Sequence, residues 1–445
     1  MTVLLFSILV LLETGFMIFG LTRTTTVKKW TSKRLIVIAG ELILFFIMAA
    51  LPGIDTSFRF KGLIAVLLVR LAAAVIFMLA NHKNTKTKKK AAIVLGTLLS
   101  ISLIGTSILP AFLFTDYEGR VLTGPYNVLQ SNAIMIDTGR IEEFENDGSY
   151  REVPVYFFYP EGTDDKIPLV IFSHGAFGYY QSNASMYMEL ASHGYVVASI
   201  EHPYHSIFTH DSTGKTIVAD RKFLNDSMTI GSSDLSEAEV FEITSEWMKL
   251  RLADMNFAID SIKEGNINNW YIDKDQKEEI TKVINLIDTA KIGLIGHSMG
   301  GAAAVTCGRR DDISAVVDLD GTMLGENIGI NGDEILINEE PYHTPLLNLQ
   351  NQEHHYQAAE AERSGEVFSN NVIIKNADTA YCTYFINSGH MDFTDLPLFS
   401  PVLARNLGTG TVDNGEMIDT LNALVLDFLD CYLKGEGSFA VNEYY

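Results

Sequence analysis

Four apolar runs, at 2–20, 35–51, 63–80 and 92–114, fill the first quarter of this 445-residue chain. Each approaches the ~20 residues a helix needs to cross a bilayer core, the second and third being the shortest. In lipid, such a segment can satisfy its backbone polar groups only as a helix or a closed barrel. The spacing therefore predicts a four-helix transmembrane region over 1–115. Its connectors are short and polar. Arg23, Lys28, Lys29, Lys33 and Arg34 lie in the first, and Lys83, Lys86, Lys88, Lys89 and Lys90 in the third, whereas the second holds only Arg59 and Lys61. By the positive-inside rule the first and third connectors face the cytoplasm. The N-terminus and everything after residue 115 are then expected outside, on a multi-pass cell-membrane protein. The first run has no basic n-region and no clear small-residue cleavage site, which favours an anchor over a removed signal peptide. Glu13, Glu41 and Arg70 fall inside the spans, where ionisable groups are costly unless paired. An Arg70–Glu41 or Arg70–Glu13 pair between helices is expected.

Charge divides the chain at the same place. Residues 1–115 carry 13 Lys/Arg against three Asp/Glu, a net of +10, and the remainder carries 20 against 52, a net of −32. A basic, apolar front and an acidic back imply a membrane region followed by a soluble domain over 116–445. An acidic surface repels phosphates, so nucleic acid is not an expected partner. Cys307, Cys382 and Cys431 are too few and too scattered for a disulfide framework or a zinc site. They are expected as small core residues, with a Cys382–Cys431 bridge as the alternative.

Beyond residue 150 the pattern changes to short β-rich runs alternating with helical stretches. PVYFFYP (154–160), PLVIFS (168–173), YVVASIEH (195–202), KIGLIGH (291–297), ISAVVDLD (313–320) and PLLNLQ (345–350) read as strands. Segments 182–193, 238–264, 299–309 and 415–433 have helical apolar spacing. Alternating strands and helices imply an α/β fold, a mostly parallel sheet covered on both faces. Residues 131–158 read as an antiparallel hairpin at its start. Residues 203–237 are polar and irregular, and are expected as a lid, a rim or surface elaboration.

The strongest chemical signal is Gly296-His297-Ser298-Met299-Gly300, a G-x-S-x-G between an apolar strand and a small-residue helix. A serine on a tight strand-to-helix turn is exposed at the sheet's edge, and its neighbours two positions away must lack bulk. The helix N-terminus favours negative charge developing there. Ser298 is thus the candidate nucleophile. A serine hydroxyl needs a base and a group to orient that base. His390 lies in the glycine-flanked loop FINSGHMDFTDLP, after a strand near 380–387 and before the last helix, and is the candidate base. His343, His354 and His355 sit in polar surroundings and read as surface residues. His193, His202, His205 and His210 are expected to be structural or exposed.

For the acid, Asp320 ends its strand just before Gly321. Asp318 has the same parity but lies inside the strand, and Glu353 follows the next strand, so the choice stays open at this level. Charge developing on a substrate oxygen needs donors already in place. The backbone N–H groups of Met299 and of Ala176, in the loop HGAFG after the strand PLVIFS, are the candidates. No metal-ligand spacing, phosphate-binding loop or dinucleotide fingerprint appears, so no metal or cofactor is expected.

The soluble part resembles the platelet-activating-factor acetylhydrolases of the plasma, or type II, class and their bacterial relatives. The resemblance runs through TGPYNV (123–128), REVPVYFFYP (151–160), PLVIFSHGAFG (168–178), LASHGYVVASIEHPYHS (190–206), IGLIGHSMGGAAAV (292–305), VVDLDGTM (316–323) and SGHMDFTD (388–395). It implies an α/β-hydrolase fold that works without a metal, with Ser298 as nucleophile, Asp320 as acid, His390 as base, and Ala176 and Met299 at the oxyanion hole. It also implies short-acyl or oxidised phospholipid-like or other small esters as substrates. Two departures stand out. The segment GTMLGENIGING after the acid lacks the family's usual aromatic and proline, which implies a different acyl pocket. The four-helix front has no counterpart in the secreted enzymes. A non-catalytic membrane sensor or scaffold, and a polyesterase or amidase using the same triad, are the competing readings.

Overall fold

The computed structural model describes residues 1–117, 119–230, 235–332 and 334–445. The chain forms two compact units, one of Met1–Glu118 with Phe399–Leu403, the other of Gly119–Leu398 with Ala404–Tyr445.

The first unit holds four long helices, α1 (Thr2–Thr22), α2 (Val27–Met48), α3 (Phe58–Ala80) and α4 (Lys90–Leu113). Thr26 and Ser57 cap α2 and α3 through their side-chain oxygens. Three of the four, α1, α3 and α4, are long and apolar enough to cross a membrane. Helix α2 starts earlier than the apolar run does, so its first two turns carry Lys28, Lys29, Lys33 and Arg34. Both expected ion pairs form. Arg70 bonds Glu13, and its Nη1 lies 2.8 Å from Glu41 Oε2. Arg34, read from sequence as a connector charge, instead reaches into the bundle. Its guanidinium donates to both Glu13 oxygens at 2.7 Å and to Ser100 Oγ at 2.8 Å. Glu13 and Glu41 are fully buried, so without these arginines each would be an uncompensated charge.

The second unit is built on a nine-stranded sheet. Its strands are β1 (Val128–Ile141), β2 (Tyr150–Pro160), β3 (Ile167–Ser173), β4 (Val196–Ile200), β7 (Trp270–Tyr271), β8 (Ile287–His297), β9 (Ala315–Leu319), β12 (Leu346–Asn351) and β13 (Ala380–Phe385). Two small hairpins supply the rest, β5 (Phe208–His210) with β6 (Thr216–Val218), and β10 (Asn327–Asn331) with β11 (Glu334–Ile337). The sheet order is β13-β12-β9-β8-β3-β4-β2-β1-β7. From β4 to β13 neighbouring strands run parallel, and β2, β1 and β7 close the far side antiparallel, the first two as the expected hairpin.

The central strands are apolar on both faces because both faces are covered. On one, Leu294 and Ile171 pack with Met255, Ile259 and Ala303. These come from α7 (Glu237–Glu264) and α9 (Met299–Cys307), beside α6 (Arg221–Ile230) and α8 (Lys277–Leu286). On the other, Val170 and Ile295 pack with Tyr187 from α5 (Ala184–Ser192) and with Leu421 and Val425 from the helix Asn414–Leu429. Truncating fully buried Leu294 to alanine would cost roughly 3 kcal/mol. Helix α7 has sharp ends, a Ser236–Glu239 capping box at its start and Gly265 in the left-handed region (φ 66°) at its stop. Two further helices, α10 (Gln352–Ser364) and α11 (Ser369–Asn376), follow β12.

One expectation needs correction, and a second gains detail. Cys307, Cys382 and Cys431 are all free, and only Cys307 is buried, because Cys382 lies on the outermost parallel strand. The segment 203–237 folds into the β5–β6 hairpin and α6, while its residues 231–234 lie outside the described residues.

Candidate active site

Strand β8 ends at His297 and α9 begins at Met299, so Ser298 alone makes the turn, at φ 55° and ψ −123°. A non-glycine residue here is strained by about 1–3 kcal/mol. Its N–H bond to Leu319 O at 2.9 Å helps to hold it. The flanking glycines have a steric cause. A Cβ at Gly296 would lie 2.1 Å from the Gly300 carbonyl, and one at Gly300 would lie 2.0 Å from Ser173 O.

Asp320 follows β9 and also takes a positive φ of 56°, with its N–H bonded to Leu349 O at 2.7 Å. Its carboxylate is fully engaged. Oδ2 accepts from His390 Nδ1 at 2.6 Å and Asn351 Nδ2 at 2.6 Å, and Oδ1 accepts from Asn351 N at 2.8 Å and His354 Nδ1 at 3.1 Å. Burial alone would raise this carboxyl, but the bonds from His354 and His390 outweigh it and hold the group well below the usual carboxylate range. Asp318 behaves oppositely. Burial first, and the Asp320 charge second, push it well above the carboxylate range. It accepts from Gly321 N at 3.0 Å and Asn348 Nδ2 at 2.8 Å, inside the sheet.

His390 opens a short 3-10 turn after β13. Asp392 ties that turn down by accepting from Gly389 N at 2.8 Å, Gly410 N at 2.7 Å and Asn414 Nδ2 at 2.7 Å. Ala176 lies in the loop after β3, which packs directly on the serine turn. A Cβ on Gly175 would lie 2.8 Å from His297 Nδ1 and 3.2 Å from Ser298 Cβ.

Ser298, Asp320, His390, Ala176 and Met299 all border one cleft of about 430 Å³, with Trp247, Thr322, Leu324, Asn351, Glu353, His354 and Gln357 as its other walls. The structure thus brings together every candidate residue. Glu353, the competing acid, lines the cleft without bonding His390. None of the described residues of 203–237 does so. The remaining late histidines divide. His343 is exposed and paired with Asp378 at 2.8 Å. His355 stacks on Tyr384, centroids 4.0 Å apart. His354, expected at the surface, is buried against Asp320.

A second group of residues was not anticipated. Arg251, fully buried on α7, donates to His174 O at 2.6 Å and Gly175 O at 3.2 Å, turning both carbonyls of the Ala176 loop toward itself. Burial lowers this guanidinium to about 9, with Asp254 opposing the shift. Asp254 in turn accepts from Arg151 Nη2 at 2.6 Å and from His202 Nδ1 at 3.0 Å, and His202 Nε2 meets Ser173 Oγ at 2.9 Å. Burial, then the Arg251 charge, pulls His202 down to about 3, so it is neutral at physiological pH. The sequence did hold a signal. Arg251 and Asp254 fall on the stripe of α7 that carries Trp247, Met248, Met255, Ala258, Ile259 and Ile262. A charged residue there must be buried and paired.

The sheet order, the serine turn and the positions of the loops define an α/β-hydrolase fold. More narrowly, the chain belongs to the family of platelet-activating factor acetylhydrolase, isoform II, whose signature matches residues 145–441. It is similar to the platelet-activating factor acetylhydrolase of Gallus gallus, 25% identical over 62% of this chain and 64% of that protein. The corresponding protein of Cavia porcellus is 27% identical over 35% of this chain and 34% of its own length. A probable 1-alkyl-2-acetylglycerophosphocholine esterase of Arthroderma benhamiae is 27% identical over 38% of this chain and 36% of its own. The chain thus matches less than two thirds of the length of each of these relatives. Among solved structures, ferulic acid esterase from Streptomyces cinnamoneus shares the fold, with a TM-score of 0.52, 19% identity, and coverage of 72% of this chain and 93% of that one.

Proposed function

We propose that this protein is a serine esterase that cleaves small or phospholipid-like carboxylic esters through an acyl-Ser298 intermediate. The observation that carries the reading is the 2.6 Å bond from His390 Nδ1 to Asp320 Oδ2, in the same cleft as Ser298. With Nδ1–H committed to the carboxylate, the Nε2 lone pair of His390 is the free base. Ser298 Oγ attacks the ester carbonyl carbon while Nε2 takes its proton. The oxyanion is met by the N–H groups of Met299, one of the unpaired donors at the start of α9, and Ala176. Collapse expels the alcohol, which leaves with the proton from Nε2. Water then repeats the cycle on the acyl-serine and releases the acid. Relatives named as acetylhydrolases and as an acetylglycerophosphocholine esterase favour short acyl groups on a phospholipid-like alcohol.

On this reading all four N-terminal helices anchor the chain in a bilayer, with the hydrolase unit on the extracellular side, an orientation that the basic connectors support. That places the cleft's unit on the side where amphiphilic esters of the outer leaflet are available.

The test uses the full chain in detergent, wild type against Ser298→Ala, with a fluorophosphonate probe and with p-nitrophenyl acetate and butyrate. Wild type should be labelled and turn over both esters, and the variant should lose on the order of 10³-fold or more. Equal rates, or no labelling of the wild type, would refute the esterase and favour a non-catalytic binding domain.

A further inference from the structure

The proposed reaction uses one imidazole on Asp320, but the structure provides two. His354, on the first turn of α10, is 93% buried and has its Nδ1 3.1 Å from Asp320 Oδ1. Its backbone N–H is fixed by the Asn351 side chain at 2.8 Å, and its ring meets Phe368 edge to face with centroids 5.7 Å apart. A carboxylate only accepts, so Nδ1 of His354 carries the proton. Each Asp320 oxygen therefore serves one histidine, His390 on Oδ2 and His354 on Oδ1, and each also takes one bond from Asn351.

We propose that His354 is a positioning residue: its N–H aims the Asp320 carboxylate at His390 and draws off part of the charge that would otherwise hold the His390 proton. Asp320 stands at a positive φ just past its strand, and the bond from its N–H to Leu349 O fixes its backbone only. The direction of its side chain is set by the bonds from His354, Asn351 and His390. Each donor on a carboxylate weakens its pull on the others. A less strongly held imidazolium hands its proton more readily to the departing alcohol. The inference rests on the esterase reading for its kinetic consequence.

The charged and titratable groups around the pair are these. His297 packs on the His390 ring, Asp392 lies in the same turn and is taken up by backbone N–H groups, Asp318 sits behind Asp320, and Glu353 borders the cleft. Among the described residues, only Asn351, His354 and His390 donate to Asp320 through side chains.

The experiment is an NMR titration of isotope-labelled histidines in the full chain, with the His390 signal assigned by its loss in His390→Gln. His354→Phe keeps a ring against Phe368 and removes the donor, and His354→Asn keeps an N–H near the place of Nδ1. In His354→Phe the His390 midpoint should rise by about 0.5–1 unit. The acid limb of kcat/KM for p-nitrophenyl butyrate should move up with it, and kcat should fall about tenfold with KM nearly unchanged. His354→Asn should restore the wild-type midpoint. An unchanged midpoint in His354→Phe, or equal shifts in both variants, would overturn the proposal. The midpoint is readable without turnover, so an inactive wild type would sink the esterase reading while this one is still decided.

Discussion

His297 donates from Nε2 to the His390 carbonyl at 3.2 Å, and the two rings lie 4.6 Å apart between centroids. The residue before Ser298 thus clasps the loop that carries His390. Burial, and then the neighbouring His390, pull His297 down to about 3. It is neutral throughout the range in which an ordinary histidine titrates. On the proposed mechanism only neutral His390 takes the serine proton, so kcat/KM should fall on acidification along a limb of slope one. A pH–rate profile with p-nitrophenyl butyrate checks this, and a slope of two would mean that His297 titrates as well.

Gly175 touches the site from the other side. Its Cβ position, 2.8 Å from His297 Nδ1, leaves no room for a methyl group. Gly175→Ala should push the Ala176 N–H off line and lower kcat about 100-fold. A circular dichroism spectrum like that of wild type would show that the sheet survives. Wild-type kcat would remove this loop from the oxyanion site.

Arg251 should matter in both folding and rate. Arg251→Met takes the guanidinium from the His174 carbonyl and leaves the Gly175 carbonyl only Gly178 N and the His174 ring, at a cost of roughly 3 kcal/mol in stability. The loop it orients would drift, and kcat should drop on the order of 100-fold while KM moves little. Arg251→Lys, with a cation in the same place, should recover part of both. Thermal unfolding and steady-state kinetics of the two variants measure each effect separately.

Glu201, just past β4, is almost fully buried and accepts from Tyr180 N at 3.2 Å and from Thr209. Burial raises it from 4.5 to about 7. An acid whose folded value is raised binds more protons folded than unfolded, so its contribution to stability is full below about pH 4.5 and is lost as pH rises through 7. Glu201→Gln lacks this loss. The melting temperature of the variant relative to wild type should climb between pH 5 and 8, approaching a difference of about 3 kcal/mol in unfolding free energy. A pH-independent difference would contradict the assignment.

The sheet was readable because its strands are apolar on both faces and are bounded by glycine or polar turns, as in KIGLIGHSMGG. The residues around Ser298, Asp320 and His390 were readable because turns that present side chains at a sheet's edge need glycine beside them. What escaped depends on three-dimensional closure. His354 looked like surface in the polar string Glu353-His354-His355-Tyr356, yet Asn351 starts a helix there and turns that one ring inward. Arg34 looked like a loop charge because α2 begins seven residues before it. Helix α8 and the β10–β11 hairpin were hidden by their shortness: α8 spends its ten residues on one narrow stripe, Ile280, Val283 and Leu286, among polar neighbours, and the hairpin strands have four and five residues.

The sheet order has a consequence for how such a molecule is made. Ser298 and Asp320 stand on adjoining inner strands, whereas His390 follows β13, the last strand to be laid on the parallel edge. A ribosome delivers the hydroxyl and the carboxylate well before the imidazole that links them. Nascent chains, and copies clipped ahead of that final strand, therefore hold two members of the group without the third, and on the proposed mechanism acylating power comes only once β13 and the turn after it are in place.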